Sequence, residues 1–306
     1  MGQDGVIGFV GFGEAAYHLT KGLREAGLTA FVAFDIHTNT PGRGEKIRQR
    51  AQETETRLLD SNAELARAAT WILSTVTSDQ ALVAAGQNAP HLTAAHLYAD
   101  LNSVSPAVKQ AIARTISASG ARFVEIAMMA PVPPYAHRVP ILSGGPAAAE
   151  FAARMRPYGM RIDIASTEVG TAAATKMFRS IMVKGMEALI TECVLGAGRY
   201  GAEQNVFASL AESYPGIDWP AMADYMIGRV VEHGERRARE MEEVSETLES
   251  IGIEPIMAAA TARRMDWSAK LGLKQHFHGD PPKNYREFLE AVAELEGASQ
   301  EKQLAE

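Results

Sequence analysis

The first half of the chain alternates short apolar runs with amphipathic stretches. Runs rich in β-branched and aromatic residues lie at 5–10, 30–34, 71–76, 96–101, 122–126, 139–142 and 161–164. Helical patterns fall between most of them, at 14–26, 62–69, 79–86, 106–119 and 147–156. Continuous apolar strands spaced by helices predict a mostly parallel, doubly wound α/β sheet covered on both faces. Beyond residue 166 the strand signal stops. Helical patterns continue at 167–200, 202–213, 219–250, 254–273 and 282–295, and the polar last ten residues are expected to fray. The pattern predicts an α/β domain over 1–166 and an all-α domain over 167–306, opened by a long linking helix.

That helix has no proline, and Ser166 or Thr167 is placed to cap it. Lys176, Ser180, Lys184 and Glu187 are spaced four, four and three apart, so they share one face. Around them stand mostly Ala, Met, Ile, Val and Leu. A lone lysine on such a helix is ordinarily solvated or snorkelling. Four aligned polar groups instead suggest the wall of a polar cleft.

The first apolar run ends in the turn Gly8-Phe9-Val10-Gly11-Phe12-Gly13-Glu14-Ala15-Ala16. Within it Gly11-x-Gly13-x-x-Ala16 suits a tight turn, close backbone approach to a pyrophosphate, and close packing of helix on sheet. Asp35 follows at the end of the second run. Strand, glycine turn, helix, strand and acid are the context that a dinucleotide-binding fingerprint requires, and they mark a Rossmann-type domain. The expected cofactor contacts are Gly11, Phe12, Gly13, Glu14, Ala15 and Asp35. Thr75 and Val76, closing the third run, and Asn102 are expected to join them. Asp35 suits a ribose 2′-hydroxyl and repels a 2′-phosphate, which favours NAD. Arg43, further along the loop, leaves NADP possible.

Together with two later segments, this turn resembles the β-hydroxyacid dehydrogenases, the family of 3-hydroxyisobutyrate and 6-phosphogluconate dehydrogenases. Asp100-Leu101-Asn102-Ser103-Val104-Ser105-Pro106 is similar to the family segment near nicotinamide and substrate, and Gly170-Thr171-Ala172-Ala173-Ala174-Thr175-Lys176 to the one that carries its catalytic lysine. Order and spacing match over roughly the first 200 residues. Residues 176–189 and 233–244 further resemble a phosphogluconate dehydrogenase-like subgroup with a C-terminal domain of unassigned function. The resemblance implies an NAD(P)-dependent dehydrogenase of a small hydroxy acid or related alcohol. Lys176 would be the general acid/base, with Ser103 and Ser180 beside it, and the helical domain would bind substrate and form a homodimer. A partly desolvated lysine can serve as such a base and acid.

The chain also departs from the family pattern. Ser180, preceded by Arg179, stands where the family usually has Asn. The family's Ser-Gly-Gly loop is replaced by Ala127-Met128-Met129-Ala130-Pro131-Val132-Pro133-Pro134-Tyr135-Ala136-His137. Met128 and Met129 in place of small polar donors point to a less polar or bulkier substrate, with Arg179 or Lys184 holding an anionic group. Oxidative decarboxylation of a β-hydroxy acid and a non-catalytic nucleotide-binding role remain alternatives.

Composition narrows the picture little. The chain has 306 residues, 46% of them hydrophobic and 22% charged, an ordinary globular balance. A net charge of −7 argues against general nucleic-acid binding. The single cysteine, Cys193, is read as a small core residue, and the chain as soluble, cytoplasmic and free of membrane spans. In the helical half, the seam Met222, Met226, Val230, His233, Arg237, Met241, Val244, Leu248 places two polar groups on an inward face. His233 and Arg237 are either a satisfied core or interface pair or a substrate-binding pair. His276 and His278, without a clustered acid or thiol, are a poor metal set, and no metal is expected.

Overall fold

The computed structural model describes residues 5–305 and forms two compact units, Met1–Lys176 and Met177–Glu306. In the first, β1 (Ile7–Val10), β2 (Phe31–Phe34), β3 (Arg57–Leu58), β4 (Trp71–Ser74), β5 (Leu97–Asp100), β6 (Arg122–Met128), β7 (Ile141–Gly144) and β8 (Ile162–Ser166) form one sheet. Its order is β3-β2-β1-β4-β5-β6-β7-β8. Every neighbouring pair is parallel except β6–β7.

Successive strand residues point to opposite faces, and both faces are covered. On one, Ile7 and Phe9 of β1 share a core with Leu19 and Leu23 of α1 (Glu14–Glu25), Ile47 of α2 (Arg43–Glu53) and Phe151 of α6 (Ala148–Met155). On the other, Val10, Ile72 and Tyr98 share a core with Leu65 of α3 (Asn62–Ala68), Ala84 of α4 (Ala81–Asn88) and Ile112 of α5 (Pro106–Ser117). The predicted strands are all present. β3 and α2 were not anticipated, and Arg43 opens α2 instead of lying in a loop.

The long helix α7 spans Thr171–Gly198, 28 residues or about 42 Å. It begins later than the pattern suggested. Ser166 closes β8, and its hydroxyl accepts from Glu168 N, so neither it nor Thr167 caps the helix. Gly170, at φ +107°, makes the turn into α7. Cys193 is exposed, not a core residue. α7 is apolar on more than one side, so its sequence did not tell its inner from its outer face.

The second unit is helical throughout: α8 (Glu203–Ser213), α9 (Trp219–Ser250), α10 (Ile256–Lys270), the short α11 (Leu273–His276) and α12 (Tyr285–Ala305). α12 continues helically through the stretch expected to fray, and Glu306 lies outside the described residues. Asp218 caps α9 by accepting from Ala221 N at 3.0 Å. α9 packs closely on α10 because Gly234 has no side chain; a Cβ there would lie 2.9 Å from the Met265 carbonyl oxygen. Among the described residues no helix is long and apolar enough to cross a membrane.

Candidate functional site

Chain direction splits beside β1: β2 and β3 lie to one side of it, β4 and the later strands to the other. Ligands of doubly wound sheets bind beyond the carboxyl ends of the strands at such a point. There β1 runs into the glycine turn. Gly11 has φ +80°, and a Cβ on it would lie 2.8 Å from the Thr75 carbonyl oxygen, so only glycine fits. A Cβ at Gly13 would meet no heavy atom within 4 Å. The backbone there is open to a cavity of about 830 Å³, within the usual range for cofactor clefts.

Of the predicted cofactor residues, Gly11, Gly13, Glu14, Ala15, Asp35, Thr75 and Val76 line this cavity. Sequence reasoning missed Ile36 and Val83, large apolar side chains exposed at its wall and suited to flank a planar base. Arg43 also lines it. A glycine cradle, an open helix start and an acid at the end of β2 fit a dinucleotide.

Asp35 also braces the turn. One carboxylate oxygen accepts from Phe12 N and the other from His37 N, each at 2.8 Å. Each oxygen keeps a lone pair for a hydroxyl donor. Phe12 contributes no lining: its ring is core and its amide is committed to Asp35. The Thr75 hydroxyl donates to Gly11 O at 2.8 Å, tying the β4 end to the turn.

Beyond β5, each polar member of the Asp100–Pro106 segment has its own role. Asn102 is buried; its oxygen accepts from Val76 N at 2.7 Å and its amide donates to Ser74 and Asp100. Asp100 pairs with the buried Lys109 at 2.5 Å, and that ammonium also donates to the carbonyls of Asp100 and Ile126. Ser105 caps α5 ahead of Pro106 at its first turn. Ser103 alone points outward, and its hydroxyl accepts from Lys176 Nζ at 2.5 Å. Residues 73 positions apart are thereby joined. Lys109 was not singled out beforehand. Its signal was a lysine on the helix face that also carries Ile112 and Ile116.

Met128 and Met129 are half-buried at the end of β6; Met128 packs on the core and Met129 N donates to Pro140 O. The remaining predicted residues lie in the helical unit. Arg179 is exposed. Lys184 donates to Ser180 and pairs with Glu240, both at 3.0 Å. Burial pulls the Glu240 carboxyl upward, but Lys184 and Arg236 outweigh it and leave the group below its ordinary value. Arg237 forms a buried ion pair with Glu187. Burial raises the Glu187 carboxyl despite Arg237, and lowers the Arg237 guanidinium despite Glu187. His233, 3.3 Å from Glu232, is lowered by burial. Within the helical unit, then, carboxylates hold Lys184 and Arg237.

Residues 197–268 match the model of a domain of unknown function (DUF1932). A conserved hypothetical protein from Sinorhizobium meliloti, of solved structure, is 38% identical; the match covers 95% of this chain and 96% of that one, with a TM-score of 0.84. A second solved protein, of unknown function but structurally similar to 3-hydroxyacid dehydrogenases, is 30% identical over 86% of this chain and 96% of its own, with a TM-score of 0.76. A Mycobacterium tuberculosis 3-hydroxyisobutyrate dehydrogenase solved with L-serine shares the fold at 16% identity, covering 95% and 99%, with a TM-score of 0.70. With its glycine turn, its Ser103–Lys176 link and these relatives, the chain belongs to the 3-hydroxyisobutyrate/6-phosphogluconate dehydrogenase-like superfamily, in the branch with a C-terminal domain of unknown function.

Proposed function

We propose that the protein is an NAD(P)-dependent dehydrogenase that interconverts a hydroxyl and a carbonyl on a small hydroxy acid or related alcohol. The observation that carries this reading is the hydrogen bond from Lys176 to Ser103, formed in the same unit as the glycine-lined cavity. A bound nicotinamide supplies or accepts the hydride. Lys176, as the neutral amine, takes the hydroxyl proton as the carbinol carbon loses hydride, and returns it in reduction. Ser103, accepting from Lys176, has its own hydroxyl hydrogen to orient the substrate oxygen. Asp35 favours NAD over NADP, with Arg43 as the countervailing charge. Ser180 follows Lys176 on the same helix as a further proposed catalytic residue, and Arg179, Lys184, His233 and Arg237 are proposed substrate-binding residues. Met128 and Met129 favour a less polar substrate than the family's usual acid. A homodimer formed through the helical unit is part of the same reading.

A thermal-shift titration with NAD, NADH, NADP and NADPH tests the first step. At 100 times its Kd a nucleotide stabilises the protein by about 2.7 kcal/mol, and NAD(H) is expected to act at lower concentration than NADP(H). Asp35→Asn, which keeps an acceptor but loses the charge, should erase that preference. If no nucleotide moves the melt, the proposal fails. A screen of hydroxy acids follows, in which Lys176→Met should lower kcat by at least 100-fold, the scale of general acid–base catalysis.

A further inference from the structure

Glu125 lies in the middle of β6, is wholly buried, and has no part in the reaction just described. One of its carboxylate oxygens accepts two backbone amides from the start of α7, Gly170 N at 2.8 Å and Ala172 N at 3.0 Å. The other oxygen is buried and makes no hydrogen bond among the described residues. The sheet makes room for the group. Gly144 stands opposite Glu125 in the β6–β7 pairing, and a Cβ there would overlap the carboxylate.

A buried carboxylate with one unsatisfied oxygen costs free energy, and a plain apolar strand would avoid it. Its compensation lies in the helix it meets. The first amides of α7 have no partner within the helix, and that end carries partial positive charge. Ala172 is one turn before Lys176 and on the same face, so a clamp on the first turn fixes where the Lys176 side chain departs. On the same strand, the Ile126 carbonyl accepts from Lys109, whose partner Asp100 precedes Ser103 by three residues. β6 thus anchors both sides of the Lys176–Ser103 hydrogen bond.

We propose that Glu125 is a positioning residue: its charged cap on α7 holds Lys176 in register with Ser103. The inference rests on the dehydrogenase reading for its purpose, but its test does not need turnover. The protein and its variants Glu125→Ala and Glu125→Gln are compared by amide hydrogen exchange and by competitive acetylation of lysines with acetic anhydride, resolved by mass spectrometry. Exposed Lys270 serves as internal standard and α5 as reference helix.

Glu125→Ala is expected to speed exchange across residues 170–176 by at least 10-fold and to change Lys176 acetylation relative to Lys270 by at least 3-fold, leaving α5 unchanged. Glu125→Gln retains an oxygen acceptor without the charge and should fall between. It also serves if the alanine variant does not fold. The proposal is overturned if both readouts match wild type in Glu125→Gln and in any folded Glu125→Ala. It is equally overturned if exchange rises uniformly, α5 included, since Glu125 would then be ordinary core. If exchange changes but Lys176 reactivity does not, the cap is structural and the positioning role falls. Nucleotide titration of the same samples separates the two claims: a wild type that binds no nicotinamide nucleotide sinks the dehydrogenase reading and leaves the Glu125 result standing. With substrate in hand, kcat should fall at least 10-fold in Glu125→Gln with little change in KM.

Discussion

At the scale of single residues, the helical unit keeps an ion pair whose burial works against it. Glu187 and Arg237 are almost wholly buried, and burial pushes each toward its neutral form despite their contact. Desolvating two charges can cost more than their attraction returns. Removing either partner alone, by Glu187→Met or Arg237→Met, should destabilise the protein by about 3–5 kcal/mol, because the survivor is left buried and uncompensated. The double variant should be neutral or up to about 4 kcal/mol more stable. Urea denaturation of the three variants measures this. A double variant as unstable as the singles would mean that the pair is a net stabiliser.

Elements were read well where apolar residues ran together, and poorly where charge or brevity hid them. β1, β2, β4 and β5 are short blocks buried on both faces, so they stood out. β3 has two residues, and α2 buries only Gly44, Ile47 and Ala51 among its eleven, too few to show a period. Of the candidate site, the glycine turn and Asp35 were legible from local spacing, and Ser103 and Lys176 from segments that resemble the family's. Asp100–Lys109 and Glu125 were not, since each becomes meaningful only when distant strands and helices meet. The segment between β6 and β7 is a further case. His137 is buried against α1, and a Cβ on Gly22 would overlap its ring. Gly22→Ala should therefore cost about 1–3 kcal/mol through overpacking, against a helix-propensity gain of about 1 kcal/mol. Burial and then Arg138 lower His137 below its ordinary 6.5. The unfolded chain thus takes up this proton first, and stability present above 6.5 is lost as pH falls through the folded value. His137→Leu should lose less stability than wild type between pH 7.5 and 5.5, read as urea midpoints. Parallel losses would remove His137 as a cause.

For the whole molecule, the division into a sheet unit and a helical unit has a thermodynamic consequence. Each unit has cores of its own. A ligand confined to the first should stabilise that unit by mass action and leave the intrinsic stability of the other unchanged. The tryptophans divide the same way: Trp71 is in β4, whereas Trp219 and Trp267 are in α9 and α10. A Trp219→Phe/Trp267→Phe variant therefore reports unfolding of the sheet unit, and Trp71→Phe that of the helical unit. Trp71 stacks on Phe151, with ring centroids 6.2 Å apart, so phenylalanine preserves an aromatic contact there. Saturating NAD should move the guanidinium midpoint reported by Trp71 by the equivalent of about 2.7 kcal/mol at 100 times Kd. The midpoint reported by Trp219 and Trp267 should move by less than half as much. Equal shifts would mean that α7, continuous through Lys176 and Met177, makes the chain one cooperative unit. In that event a helical-unit substitution such as Arg237→Met would also lower the midpoint that Trp71 reports, in proportion to its stability cost.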